Sequence, residues 1–477
     1  MIVVALMSAC VFAQPMPELD ESFDAFKAGY IAWYDTISEA DRAWEEMEAI
    51  DAELRERLEG RRMTADPSDD EWDASVEFVQ GQGQLLDRIR GYSSRAYLAM
   101  SPDVLFDQEP DIELPKAIGL LIPNLGATMK QSRLLVIDAI LAGQAGDHAR
   151  VLADIRAVRD LQRFVPVSGA MIELLVEIAI SSIVAESILS DEIDLSDWSA
   201  QELTQLSTAF GEAGFSERLV RAGSFERWGL GDMLGWLYED AKDGRISLRG
   251  VKRFIYMVAR LGAIDDDALT SDSYEGASGL IHAAILQPQL PLLQDQVALA
   301  DELFELALAE MNTSPHKLRA FGYSALIDKL ATEEESLFEN APVVVFIPDF
   351  SRMYKRASQA QAVESATTLL VALHHHHRMC GEFPATLDKL DPYFLADVPI
   401  DPYSGRALRY VLVDSRPVIY SLGPDRDDDG RRPVLGEDGN PKAWPNFLTL
   451  DELEAINATD PASIDGDWIL YPAITED

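Results

Sequence analysis

Four consecutive histidines, His374 to His377, stand just before Cys380, one of two cysteines in the chain. Neutral imidazole and thiolate are ligands that zinc prefers, and a zinc site needs three or four of them converging. On a helix only residues three or four apart share a face. The pairs are His374 with His377, His376 with Cys380, and His377 with Cys380, so the segment supplies two ligands to any one face. A transition-metal reading therefore rests on His376, His377 and Cys380, and it competes with the reading of an ordinary helix end. The apolar stripe Val363, Ala366, Leu370 and Leu373 predicts that His377, with His376, continues inward and that His374 and His375 face outward.

Glu173 and Glu177 are a second pair, four residues apart on a very apolar helix. Paired carboxylates do acid–base work when their environments split their pKa values. The plainer reading pairs them with Arg156, Arg159 or Arg163 of the preceding helix. The segment "YEDAKDGRISL" is reminiscent of a calcium helix–loop–helix, but aligning Gly244 with the loop glycine puts Ala241 and Gly250 at ligand positions, which excludes it. His148, His282 and His316 are isolated. The chain has no glycine-rich phosphate loop, no G-x-S-x-G and no H-E-x-x-H. No catalytic constellation emerges.

The elements that must position these residues are mostly helical. Phe23, Phe26, Tyr30 and Trp33 recur at helical spacing and predict a long amphipathic helix or helical pair over 18–62. A turn-rich "TADPSDDEW" follows, then a helix from about Trp72 to Tyr97 and a break at "SPDVLFDQEPDIELP". From 114 to 330 helix succeeds helix, with a hairpin around Pro166, a capping box at Ser199 and Glu202, and an acidic loop at "RLGAIDDDALTSDSYEGASG". No repeat recurs at a fixed period, which argues against a solenoid. "VPVSGAMIELLVEIAISSIVAESIL" carries Glu173, Glu177 and Glu186, and carboxylates are costly in lipid, so it reads as a buried bundle helix. "APVVVFIP" reads as a short β-rich run and places a boundary near 345.

Beyond 345 a helix over 350–377 is closed by Gly381 and kept from resuming by Pro384. "DPYSG" is a turn, and "RALRYVLV" and "PVIYSL" form a β-hairpin about "DSR". The expected fold is mainly α, a helical bundle or irregular αα array, with a small C-terminal α+β module. Its expected segments are 1–14, 15–113, 114–345 and 346–477.

Residues 358–470 resemble the soluble part of type II secretion major pseudopilins. The ordered features are a helix, "GEFPATLDKL", "PIDPYSGRALRY", "VIYSLGPD" with an acidic loop, and a closing "DGDWIL". The chain as a whole resembles large exported proteins of planctomycete-type bacteria. They share this ending and the "LLVIDAILAGQAGDHARVLADIRAVRDL…IELLVEIAI" region. The pseudopilin resemblance implies calcium in the loop after the last hairpin. Here that loop offers Asp425, Asp427, Asp428 and Asp429, with Asp465 or Asp467 returning from the final strand. Carboxylate oxygens are the hard ligands calcium takes; the competing reading is a solvated acidic turn. The chain departs from the family in two ways. The membrane helix that should adjoin the module is replaced by a helix of soluble character after a long stretch of other protein. The histidine run also stands where the family pattern has an aromatic and an arginine.

Bulk properties narrow the partners. The chain has 477 residues, 47% of them hydrophobic, and a formal net charge of −42. Nothing basic is left over to neutralise phosphates, which excludes nucleic acid, and anionic lipid surfaces are disfavoured. "MIVVALMSACVFAQPMPE" resembles an export signal, cleaved after "VFA", or at a loose lipobox that leaves Cys10 lipidated. With Cys10 removed or acylated, no intramolecular disulfide is possible. These features predict a non-enzymatic, exported protein of the periplasm or cell envelope. It has protein partners, and its C-terminal module serves a structural or docking role, with calcium as the expected ion. The alternatives are a metal-binding protein or metal-dependent hydrolase using the histidine run, and a helical binding protein for a polypeptide or glycan.

Overall fold

A computed structural model describes residues 23–106, 115, 124–166, 168–210, 214–260, 287–318, 322–332, 334–390, 392–435 and 466–472. The export-like segment with Cys10, the acidic stretch from Leu261, His282 and Asp465 lie outside the described residues.

The aromatic spacing at the start of the chain makes a helix, α1 (Phe23–Asp35), with Phe26, Tyr30 and Trp33 buried. Tyr30 donates to the Met100 carbonyl at 2.9 Å, and Phe106 meets both Phe26 and Tyr30 edge-on. A second helix, α2 (Trp44–Leu58), makes 18–62 a pair. The single helix expected from Trp72 is instead two, α3 (Trp72–Gln80) and α4 (Gly83–Ser93). The Gly-Gln-Gly sequence at 81–83 breaks it, because glycine is a poor helix interior residue. A short α5 (Pro102–Phe106) follows.

Then come α6 (Asn124–Gln144), α7 (His148–Gln162), α8 (Met171–Leu189), α9 (Ala200–Ser207), α10 (Phe215–Leu237) and α11 (Leu248–Arg260). The hairpin of α7 and α8 forms as expected, and α8 is buried along most of its length. No described helix is long and apolar enough to cross a membrane. Ser199 and Glu202 make the reciprocal bonds of a capping box at the start of α9.

After α12 (Leu293–Met311) and α13 (Gly322–Thr332), the segment expected as β-rich is helical: α14 spans Glu334–Phe346. Pro342 removes one amide from the ladder there, and the Val343 amide donates to Oε1 of the buried Gln296 at 3.1 Å. The valine run carries β propensity, but that propensity is mostly a packing effect. Val343 is fully buried against helices.

The long α15 (Phe350–Cys380) ends at Gly381, which is left-handed at φ 83°. Strands β1 (Arg409–Val413) and β2 (Arg416–Ser421) pair about Asp414 and Ser415, both at positive φ, as a primed two-residue turn requires. β3 (Trp468–Tyr471) joins β2, giving an antiparallel sheet in the order β1-β2-β3. The protein is thus mainly helical with a small C-terminal sheet.

Two apolar cores organise the chain. One joins α1–α9 with Ala362–Leu373 of α15 and with Ile419, Trp468 and Leu470 of the sheet. The other joins Met171–Ile178 of α8, α10–α14, and Phe350–Ala360 of α15. α8 and α15 therefore run through both cores, and packing crosses the expected boundary near 345. Within the first core Arg159 of α7 donates twice to Glu364 of α15, at 2.8 and 3.0 Å, and Ser181 of α8 donates to the same carboxylate at 2.6 Å. Asp138 and Asp154, both fully buried, are answered by Arg90 and Arg150. Burial pushes the Asp154 carboxyl up.

Candidate functional site

The loop after β2 is folded by backbone constraints before any ligand chemistry enters. Asp401, fully buried, opens the "DPYSG" turn; it accepts the Tyr403 amide at 3.1 Å and the Ser421 hydroxyl at 2.8 Å. That pins the turn to the end of β2. Gly423 then passes the Trp468 indole at positive φ, where a Cβ would lie 2.3 Å from a ring carbon. At Gly466, φ 129°, a Cβ would lie 2.8 Å from the Val434 amide nitrogen. Only glycine fits either place, so residues 423–434 wrap closely against the start of β3.

Inside that wrap, one carboxylate oxygen each from Asp425, Asp427 and Asp429 lies within 4.8 Å of the others. Asp425 accepts the Gly466 amide at 3.0 Å. Asp467, fully buried, accepts the Arg431 amide at 2.6 Å. A further oxygen on each of three residues, Asp425 Oδ1, Asp429 Oδ2 and Asp467 Oδ1, is buried without a hydrogen-bond partner among the described residues. Orphaned buried acceptors are rare. Burial, followed by the charges of Asp427 and Asp429, pushes Asp425 up to about 6. Asp467 rises to about 6 by burial, with Asp428 and Asp429 adding to it. Arg432 pairs with Oδ1 of Asp429 at 2.6 Å, which leaves the three partnerless oxygens as an all-carboxylate donor set of the kind a hard divalent cation takes. Asp428 does not join the set. Its carboxylate pairs with Arg409 of β1 at 3.0 Å and accepts the Gly430 amide at 3.1 Å.

The histidines are arranged opposite to the expectation. His374 and His375 are buried, whereas His376 and His377 are half-buried and Cys380 is exposed. The stripe misled because α15 is packed on several sides at once, by α8, α9, α10 and β2, so inward is not one direction. The chain returning after Gly381 brings aromatic partners to the run. Phe383 is edge-on to His374 at 5.4 Å and stacked on His377 at 4.4 Å; Phe394 meets His375 and His376, each at 5.1 Å. His376 Nδ1 also lies 3.0 Å from the Glu382 carbonyl. Burial holds His374 down to about 4, outweighing the upward pull of Asp194, so the ring is neutral at neutral pH. Among the described residues, His376, His377 and Cys380 form no converging donor set.

The other candidates have structural partners. Glu173 accepts the Ser168 amide at 2.9 Å and the Gly169 amide at 2.7 Å, closing the turn before α8. Glu177 pairs at 2.9 Å with Arg218 of α10, not with the arginines of α7, and burial pushes it up to about 7. His148 stacks on Trp198 and bonds Glu202 at 3.3 Å. The helix–loop–helix lookalike is a tight turn whose Gly244 carbonyl accepts the Leu293 amide at 2.9 Å. Two residues that matter for the acidic loop, Asp401 and Arg426, went unnoticed in the sequence. The only local sign of Asp401 is an aspartate before Pro402, the pattern of a turn closed by its own side chain.

No protein-family model matches the chain, and neither a curated protein nor a solved structure matches it.

Proposed function

We propose that this chain is a non-enzymatic, exported, envelope-associated protein whose C-terminal helix and sheet form a calcium-stabilised docking or structural unit. The observation that carries the reading is the convergence of Asp425, Asp427 and Asp429 beside Asp467, with three buried carboxylate oxygens lacking partners. This loop follows the last hairpin, where the resemblance to type II secretion pseudopilins implies calcium. The export-like first residues support a place outside the cytoplasm, and the charge of −42 disfavours a nucleic-acid partner.

Calcium titrated into untagged, EDTA-stripped protein should bind once per chain and raise the thermal midpoint. Free calcium at a hundred times its Kd adds about 2.7 kcal/mol by mass action. Asp425→Asn with Asp429→Asn should abolish both effects. No binding heat and an unmoved midpoint would refute the cation reading. Stoichiometric zinc lost on His377→Ala with Cys380→Ala would favour the histidine run instead. Mass spectrometry of the native N-terminus tests export: a start at Gln14 or a lipidated Cys10 supports it, and an intact Met1 removes it.

A further inference from the structure

Side chains alternate along the loop after β2. Asp425, Asp427 and Asp429 bring their oxygens to one point. The two residues between them reach away and hold other parts of the protein. Asp428 holds Arg409 of β1, and Arg426, at φ 68°, donates from its guanidinium to the Leu318 carbonyl. Leu318 belongs to the connector that leaves α12. The same connector is gripped elsewhere: the Tyr354 hydroxyl of α15 donates to the Thr313 carbonyl, and the His316 ring lies where a Gly405 Cβ would come within 2.7 Å of it. Residues 313–318 are thus held by α15 on one part of their surface and by the acidic loop and the 401–405 turn on another.

We propose that the loop is a cation-operated clasp. Filling the Asp425–Asp427–Asp429 point tightens Arg426 on Leu318 and fixes the 313–318 connector of the helical body against the sheet. The inference rests on the cation reading above. Arg432 offsets part of the charge on Asp429, but three ionised carboxylates held this close still repel one another, and the backbone relieves the repulsion by spreading. Arg426 sits between two of the three, in a left-handed conformation that persists only while its surroundings enforce it, so spreading displaces its anchor. A divalent cation removes the repulsion and selects the closed loop. The occupancy of the loop is then reported to the connector between α12 and α13 through Arg426.

Hydrogen exchange of the full chain, in EDTA and at calcium saturation, tests this. Amides in 312–318 should slow several-fold with calcium, together with those in 423–432. In Arg426→Ala, calcium should still bind with the same stoichiometry and slow 423–432, while 312–318 no longer responds. Arg426→Gly relieves the positive φ, so the outcome does not depend on a strained variant folding, and it should behave in the same way. If calcium binds the wild type but 312–318 does not slow, the clasp is wrong. It is equally wrong if either variant keeps the wild-type response at 312–318. If calcium neither binds nor slows 423–432, the cation reading fails and the clasp fails with it.

Discussion

Acidification should weaken this protein through one ring of the histidine run. His374 is buried beside Phe383, and burial holds its pKa near 4 against an ordinary 6.5. Asp194 pulls it up and His377 pushes it further down, but burial is the largest influence. Between pH 6.5 and 4 the unfolded chain binds a proton at this position that the folded chain does not. Stability from His374 is therefore complete above the unfolded value and is lost as pH falls toward the folded one. At about 1.4 kcal/mol per pKa unit, this amounts to about 3 kcal/mol over the window. Asp154 and Glu177, whose carboxyls are raised, have the opposite sign in an overlapping range. The wild-type profile is consequently a composite, and the informative quantity is a difference. Urea denaturation of the wild type, His374→Phe and His374→Leu across pH 4 to 7.5 should give variants less stable at the neutral end, through imperfect repacking. Their stability relative to the wild type should rise by about 3 kcal/mol as pH falls to 4. A flat difference curve would refute the placement of a neutral, buried ring at this position.

Three other changes probe the packing. Glu364→Ala leaves the half-buried Arg159 with Gln162 and Ser181 but no carboxylate and should cost about 3 kcal/mol in denaturant unfolding, with Glu364→Gln, which keeps an acceptor for Arg159, milder. A small effect of Glu364→Ala would mean that α15 is not locked into the helical body. Ser199→Ala should cost about 1 kcal/mol by removing the cap of α9, measured as a lower urea midpoint. Asp414→Asn with Ser415→Gly suits the positive φ values of the hairpin turn; it should raise stability by about 0.5–1 kcal/mol in the same assay.

Local rules made several features legible. Ser199 and Glu202 announce a helix start because both reciprocal bonds lie within one turn. Gly381 announces a helix end because the left-handed residue there needs no side chain. The "DSR" hairpin follows from alternation on either side of a two-residue turn. The acidic loop was legible as residue types, Asp425 to Asp429, but its partition was not. Nothing in "DRDDDG" says that Asp428 turns to Arg409 while Asp425, Asp427 and Asp429 converge.

By itself the sequence determined the mainly helical class, the small terminal sheet, the caps and turns, and the acidic composition of the loop. These depend on contacts within a few residues or on bulk charge. Tertiary structure alone decided which histidines are buried, that "APVVVFIP" joins a helix, and that Glu177 meets Arg218 rather than an arginine of α7. It also decided that α15 threads both cores. The reason is common to all four: each depends on which distant surface arrives opposite the residue. Burial and charge pairing with that surface are each worth kilocalories, more than the tenths that separate most local propensities.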